Sequence, residues 1–264
     1  MKTMTNTVLI LAAFYLAICA ILYLMQERLI FFPPSPVEEI YAAVKTNEIS
    51  FINTDDKIRG WKISVNPQAT KTLLYFGGNA EDVVYFNFEA EKFNAHQAIA
   101  INHPGYGKSS GTPSQQGLYQ NSLDVYDHVI NKYGLHPDDI IIMGRSLGSS
   151  VATYLASKRK SAGLILITPF DSVKNIAANQ YKMFPVKLML KHGFPTVDYI
   201  SKVNTPVLIV AAEQDEMIAD INLENLSLAS GNNSRVIRYS GVGHNTIQSH
   251  REYYAEINRF IKSI

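Results

Sequence analysis

The chain has 264 residues, 47% of them apolar and 18% charged, with a formal net charge of +1. That length suits one α/β domain with a well-buried core, and so small a net charge supplies no field to draw nucleic acid. A single cysteine, Cys19, excludes an internal disulfide framework.

From Val8 to Met25 the sequence reads VLILAAFYLAICAILYLM, without a charge. As a helix this run rises roughly 27 Å, enough to cross a hydrocarbon core with little tilt. A cleaved signal peptide would have a shorter apolar run ending at small residues, but Ile21, Leu22 and Leu24 continue past Ala17 and Ala20. Lipidation at Cys19 would want a small residue where Ile18 stands. A buried core helix is the alternative, and the uninterrupted apolarity on every face argues against it. Residues 1–26 are therefore expected to be a single-pass membrane anchor, followed by a linker over 27–48. The flanking charges are Lys2 before it and Glu27 and Arg28 after it. This bias is weak and favours a non-cytoplasmic catalytic domain. Pro33, Pro34 and Pro36 predict a stiff exit, and RLIFF at 28–32 suits the interface or packing back on the domain.

Residues 49–264 are read as one domain in which β-rich runs alternate with amphipathic helices, the pattern of a mostly parallel sheet covered on both faces. Strands are expected at Ile49–Ile52 and Ile58–Val65, an antiparallel pair turning at Asp55-Asp56-Lys57, and then at Thr72–Phe76. A helix is expected to run on through about Phe93, followed by a strand at Ala98–Asn102. The loop HPGYGKSSGTP (103–113) is too rich in glycine and proline for regular structure. Then come a helix at Gly117–Lys132, a strand at Ile140–Met143 and a helix at Leu147–Lys158. Further strands are expected at Gly163–Ile167, Pro206–Ala211 and Arg235–Tyr239, making eight, before a closing helix at His250–Ile264.

One stretch carries chemistry. The buried strand IIIM runs into Gly144-Arg145-Ser146-Leu147-Gly148 and then a helix. A serine at so tight a strand-to-helix turn presents its Oγ above the sheet, and glycines two residues on either side give it room. The helix starting at Leu147 aims free N–H groups at a developing oxyanion.

A serine hydroxyl needs an adjacent base. Asp215 and His244 each fall in a loop after a later strand, at the end of the sheet where such sites form. His244 would take the Ser146 proton, and Asp215 would hold the imidazole tautomer. Glu213, Glu216 and Asp220 are read as solvated loop carboxylates, with Asp171 an alternative acid. Of the other histidines, His103 is singled out because its loop should border the site. The second oxyanion donor is expected from Phe76-Gly77-Gly78-Asn79-Ala80, with the Asn79 N–H partnering that of Leu147. No His-x-x-x-His pair or cysteine cluster supports a metal, and no cofactor is expected.

RLIFFPP (28–34), YFGGNAED (75–82), NHPGYGKSSGTPS (102–114), GRSLGSSVA (144–152), TPFDS (168–172), PVLIVAAEQDEMI (206–218) and GVGHN (241–245) together resemble the small, N-terminally anchored α/β-hydrolase-domain serine hydrolases. The resemblance implies an α/β-hydrolase fold and a triad of Ser146, Asp215 and His244, with Tyr106 and Gly107 shaping a loop near the site. Gly77 departs from it, standing where the group usually has His before Gly. That change bears on loop rigidity and leaves the N–H groups in place. Residues 171–203, with Tyr181, Met183, Phe184 and Leu188, look like a short cap over an acyl pocket, or equally a helix packing on the domain. The activity implied is acyl ester or thioester hydrolysis on lipid-like or acylated substrates at a membrane. Serine peptidase action and a non-catalytic tethered module are the alternatives.

Overall fold

A computed structural model describes residues 2–53 and 56–264. Its eight strands form one sheet in the order β1-β2-β4-β3-β5-β6-β7-β8: β1 (Glu48–Asn53), β2 (Asp56–Ser64), β3 (Thr72–Phe76), β4 (Gln97–Ile101), β5 (Ile140–Arg145), β6 (Gly163–Ile167), β7 (Val207–Ala212) and β8 (Ser234–Tyr239). Only β2 runs against its neighbours; the other pairs are parallel. The turn expected about Asp55 lies outside the described residues.

The central strands are mostly apolar, and β3, β4, β6 and β7 are buried at every position, because helices cover both faces. Alternate residues divide between two cores. Leu74, Ile142, Leu166 and Ile209 pack with residues of α3 (Gln115–Tyr133), α4 (Leu147–Ala156) and α8 (Asp220–Ser230). Leu73, Ile141, Ile165 and Leu208 pack against α9 (Tyr253–Ser263) and the segment after β3. The helix expected through Phe93 is not formed. Two 3-10 turns, Val83–Phe88 and Ala90–Lys92, take its place. Asp82 caps the Val84 N–H and the Asn102 side chain takes the Val83 N–H, which the first turn leaves without a backbone acceptor.

The first helix, α1, runs over Lys2–Ile30, past the residue 26 at which the anchor was expected to end. Pro33 and Pro34 follow it and forbid continuation. A short α2 spans Glu38–Ala43. Between β6 and β7 lie α5 (Val173–Gln180) and α6 (Val186–Met189), which bury no residue, and α7 (Thr196–Ile200), which buries Thr196 and Ile200.

Candidate active site

Ser146 sits where β5 turns into α4, with φ 48° and ψ −116°, a conformation that L residues avoid. The turn is held because the Ser146 N–H donates to the Ile167 carbonyl at 2.9 Å. The flanking glycines are sterically required. A Cβ on Gly144 would lie 2.2 Å from the Gly148 oxygen, and one on Gly148 would lie 2.1 Å from the Phe76 oxygen. The second contact shows how closely α4 presses on the end of β3.

The three residues singled out in the sequence meet above the carboxyl ends of the strands. Asp215 accepts from the His244 ring at Nδ1, 2.8 Å from Oδ2 and 3.1 Å from Oδ1. An ionised carboxylate only accepts, so Nδ1 carries the proton and Nε2 is left as an acceptor. The Ser146 Oγ lies 2.9 Å from that Nε2, placed to donate to it. Asp215 is fixed in turn by the Met217 and Ile218 N–H groups, at 2.9 and 2.8 Å. His244 is buried and Ser146 is half-buried.

Asp171, the alternative acid, is committed elsewhere. Its fully buried carboxylate accepts from the Ser172 N–H and from the side-chain amides of Asn175, Asn222 and Asn225. It joins the start of α5 to α8. Glu216 was read as a solvated carboxylate, yet its Oε2 accepts the His244 N–H at 3.0 Å. That bond holds its carboxyl below the usual carboxylate range. No local pattern announces this contact, since it joins loops 28 residues apart.

The loop after β3 packs against the serine: a Cβ on Gly78 would meet the Ser146 Cβ at 3.5 Å. Gly77 has room for no side chain, because a Cβ there would lie 2.6 Å from Val83. The loop at Gly77 is held from outside. His103 Nε2–H donates to the Gly77 carbonyl at 2.9 Å, and burial pushes the pKa of this ring down to about 4. Glu81 accepts the Gly78 N–H and the Tyr75 hydroxyl, both at 2.7 Å. Glu81 lies three residues after Gly78, a local spacing at which such a contact is within reach, though sequence reading passed over it. The Asn79 side chain is held at both ends: its Oδ1 accepts from the Tyr106 hydroxyl and the Phe32 N–H, and its Nδ2 donates to the Ile30 carbonyl.

Ser146, Leu147 and Asn79 line one cavity of about 1030 Å³. Its other walls are mostly apolar, among them Leu22 and Leu29 of α1, Ile176 of α5 and Ile218, with Gln26, Gln180 and Asn222 as polar exceptions. A space of that size and character suits a long apolar group with a few polar groups at one end.

Residues 71–195 match the family model of the alpha/beta hydrolase fold. The chain is 30% identical over 229 residues to an uncharacterized protein of Mycobacterium tuberculosis, covering 83% of this chain and 80% of that one. It is 29% identical over 203 residues to the human alpha/beta hydrolase domain-containing protein 17B, covering 75% and 69%. Among solved structures, a Pyrococcus furiosus esterase superposes with a TM-score of 0.66 at 16% identity, covering 88% of this chain and 97% of its own.

Proposed function

We propose that this chain, which belongs to the α/β-hydrolase family, is a serine hydrolase that cleaves acyl esters or thioesters through an acyl-Ser146 intermediate. The observation that carries this reading is the hydrogen-bonded line Asp215–His244–Ser146, with steps of 2.8 and 2.9 Å, at the edge of an apolar cavity. Ser146 Oγ attacks the acyl carbon as its proton passes to His244 Nε2. Asp215 stabilises the imidazolium so formed. The Gly78 N–H is already spent on Glu81, so the next amide along, Asn79, is the one assigned to the oxyanion. The Leu147 N–H, at the first helical position, has no acceptor within its helix and serves as its partner. Collapse of the tetrahedral intermediate expels the alcohol or thiol, protonated by His244, and water activated by the same ring then releases the acid.

The apolar walls favour lipid-like acyl chains. We read α1 as the membrane anchor, from its length of 29 residues and an 18-residue stretch within it of mean hydropathy 2.7, and residues 171–203 as a cap over the cavity. A fluorophosphonate probe is expected to label the wild type and not Ser146→Ala, and an unlabelled wild type would overturn the reading. Against esters of graded chain length, turnover is expected to favour long acyl groups. A preference for acetyl esters would refute the lipid-like assignment.

A further inference from the structure

The apolar helix does not stand clear of the domain. Tyr15 donates its hydroxyl to the Met183 carbonyl at 2.8 Å and stacks on Phe184. Gln26 is the one buried residue of α1, and both ends of its amide are used. Its Nε2 donates to the Met189 carbonyl at 3.3 Å, and its Oε1 accepts the Lys191 N–H at 2.7 Å. The Lys191 ammonium lies over the Tyr23 ring, and Phe31 sets its edge against His192 and Phe194. A lone glutamine in an apolar helix, placed where it can close two backbone hydrogen bonds, marks this face as built for docking.

The docked face is also the cavity wall. Ile18, Leu22, Gln26 and Leu29 follow helical spacing along one stripe, and all four line the cavity that contains Ser146. At its exit the helix is tied to the oxyanion loop through the Asn79 side chain.

We propose that the second half of α1 is an acyl-chain subsite: the acyl group bound to Ser146 runs between the Ile18–Leu22–Leu29 stripe and α5. This rests on the acyl-Ser146 reading and adds where the chain lies. The undocked stretch Lys2–Phe14 rises only about 20 Å, short of the roughly 30 Å of a hydrocarbon core. For α1 to cross the bilayer, its docked half must lie partly within it, which draws the cavity mouth to the acyl layer. Of the large apolar residues lining the cavity, Leu29, Phe32, Tyr181 and Met217 stay more than half exposed, beside the exposed polar side chains of Asn179, Gln180 and Glu216. The four apolar residues, with the Ile18–Leu22 stripe, give an acyl chain an apolar side of the cavity to follow from lipid to Ser146.

The test uses the full chain in lipid nanodiscs and a hexadecyl fluorophosphonate carrying a diazirine at the end of its alkyl chain. After reaction and irradiation, mass spectrometry is expected to find Ser146 modified and cross-links within residues 18–32. Leu22→Trp, which fills the wall, is expected to lower the ratio of hexadecyl to ethyl fluorophosphonate reactivity by about tenfold. Leu24→Trp, on the exposed face, keeps the wild-type ratio. Modification of Ser146 with cross-links confined to residues 173–190 and 216–219 would overturn the inference while leaving the acyl-serine reading intact. An unchanged ratio in Leu22→Trp would do the same. Absence of any label on Ser146 would remove the acyl-serine reading itself, and this inference with it.

Discussion

His103 makes the stability of the site's surroundings depend on pH in a calculable way. Its ring is 1% exposed and is uncharged when Nε2–H donates to the Gly77 carbonyl. Burial holds its pKa at about 4, against 6.5 for an exposed ring. The unfolded chain thus binds a proton at this residue below 6.5 that the folded chain refuses until about 4. The neutral-ring contribution is complete above 6.5 and is lost as the pH falls toward 4. The full displacement corresponds to about 3 kcal/mol, of which about 2 kcal/mol falls between pH 7 and pH 5. His103→Gln keeps an amide N–H near the position of Nε2 but cannot titrate. Urea unfolding of detergent-solubilised protein reports this directly, because Trp61 is the only tryptophan and is fully buried. The wild type is expected to lose about 2 kcal/mol more than His103→Gln on going from pH 7 to pH 5. Losses that run in parallel would refute the reasoning, whatever the absolute stability of the variant.

Asp171→Ala leaves three side-chain amides and one backbone N–H in a dry site without their acceptor. A loss of about 4 kcal/mol in the same urea assay is expected, and a loss below about 1 kcal/mol would show that the amides find other partners. Gly148→Ala puts a methyl 2.1 Å from the Phe76 oxygen and 2.4 Å from that of Gly77. Moving α4 off β3 displaces Ser146 from the oxyanion loop, and fluorophosphonate labelling is expected to slow by about a hundredfold. Labelling at the wild-type rate would show that the close approach is not needed.

The strands were legible because each central one is a short, mostly apolar run with no polar face, for which burial between helices is the consistent solution. The serine was legible for a local reason: its turn forces glycine at two fixed positions. Asp215 and His244 followed from their place after later strands, and the geometry brings both to the serine. What the sequence concealed was contact between distant segments. The stretch after Asn79 has apolar residues at helical spacing, yet it folds as two short 3-10 turns whose first N–H groups are capped by Asp82 and by Asn102, a residue brought in from the end of β4. Glu216 looks like any loop carboxylate until the fold brings the His244 amide to it. The apolar run in α1 announced a lipid environment, and that signal concealed its second use, since apolar residues facing a bilayer and apolar residues facing a cavity look the same. Gln26 was the one local hint, a polar residue at the end of the run.

The clasp that Asn79 makes on Ile30 and Phe32 bears on how the protein is handled. Removing the first thirty-odd residues to obtain a freely soluble preparation would strip Asn79 of two of its three side-chain partners and open one side of the cavity. Such a shortened protein would differ from the full chain in its catalytic parts as well as in its attachment. A drop in turnover on shortening would then measure a dismantled pocket, and any comparison of the two forms meant to isolate the influence of lipid must first restore that clasp.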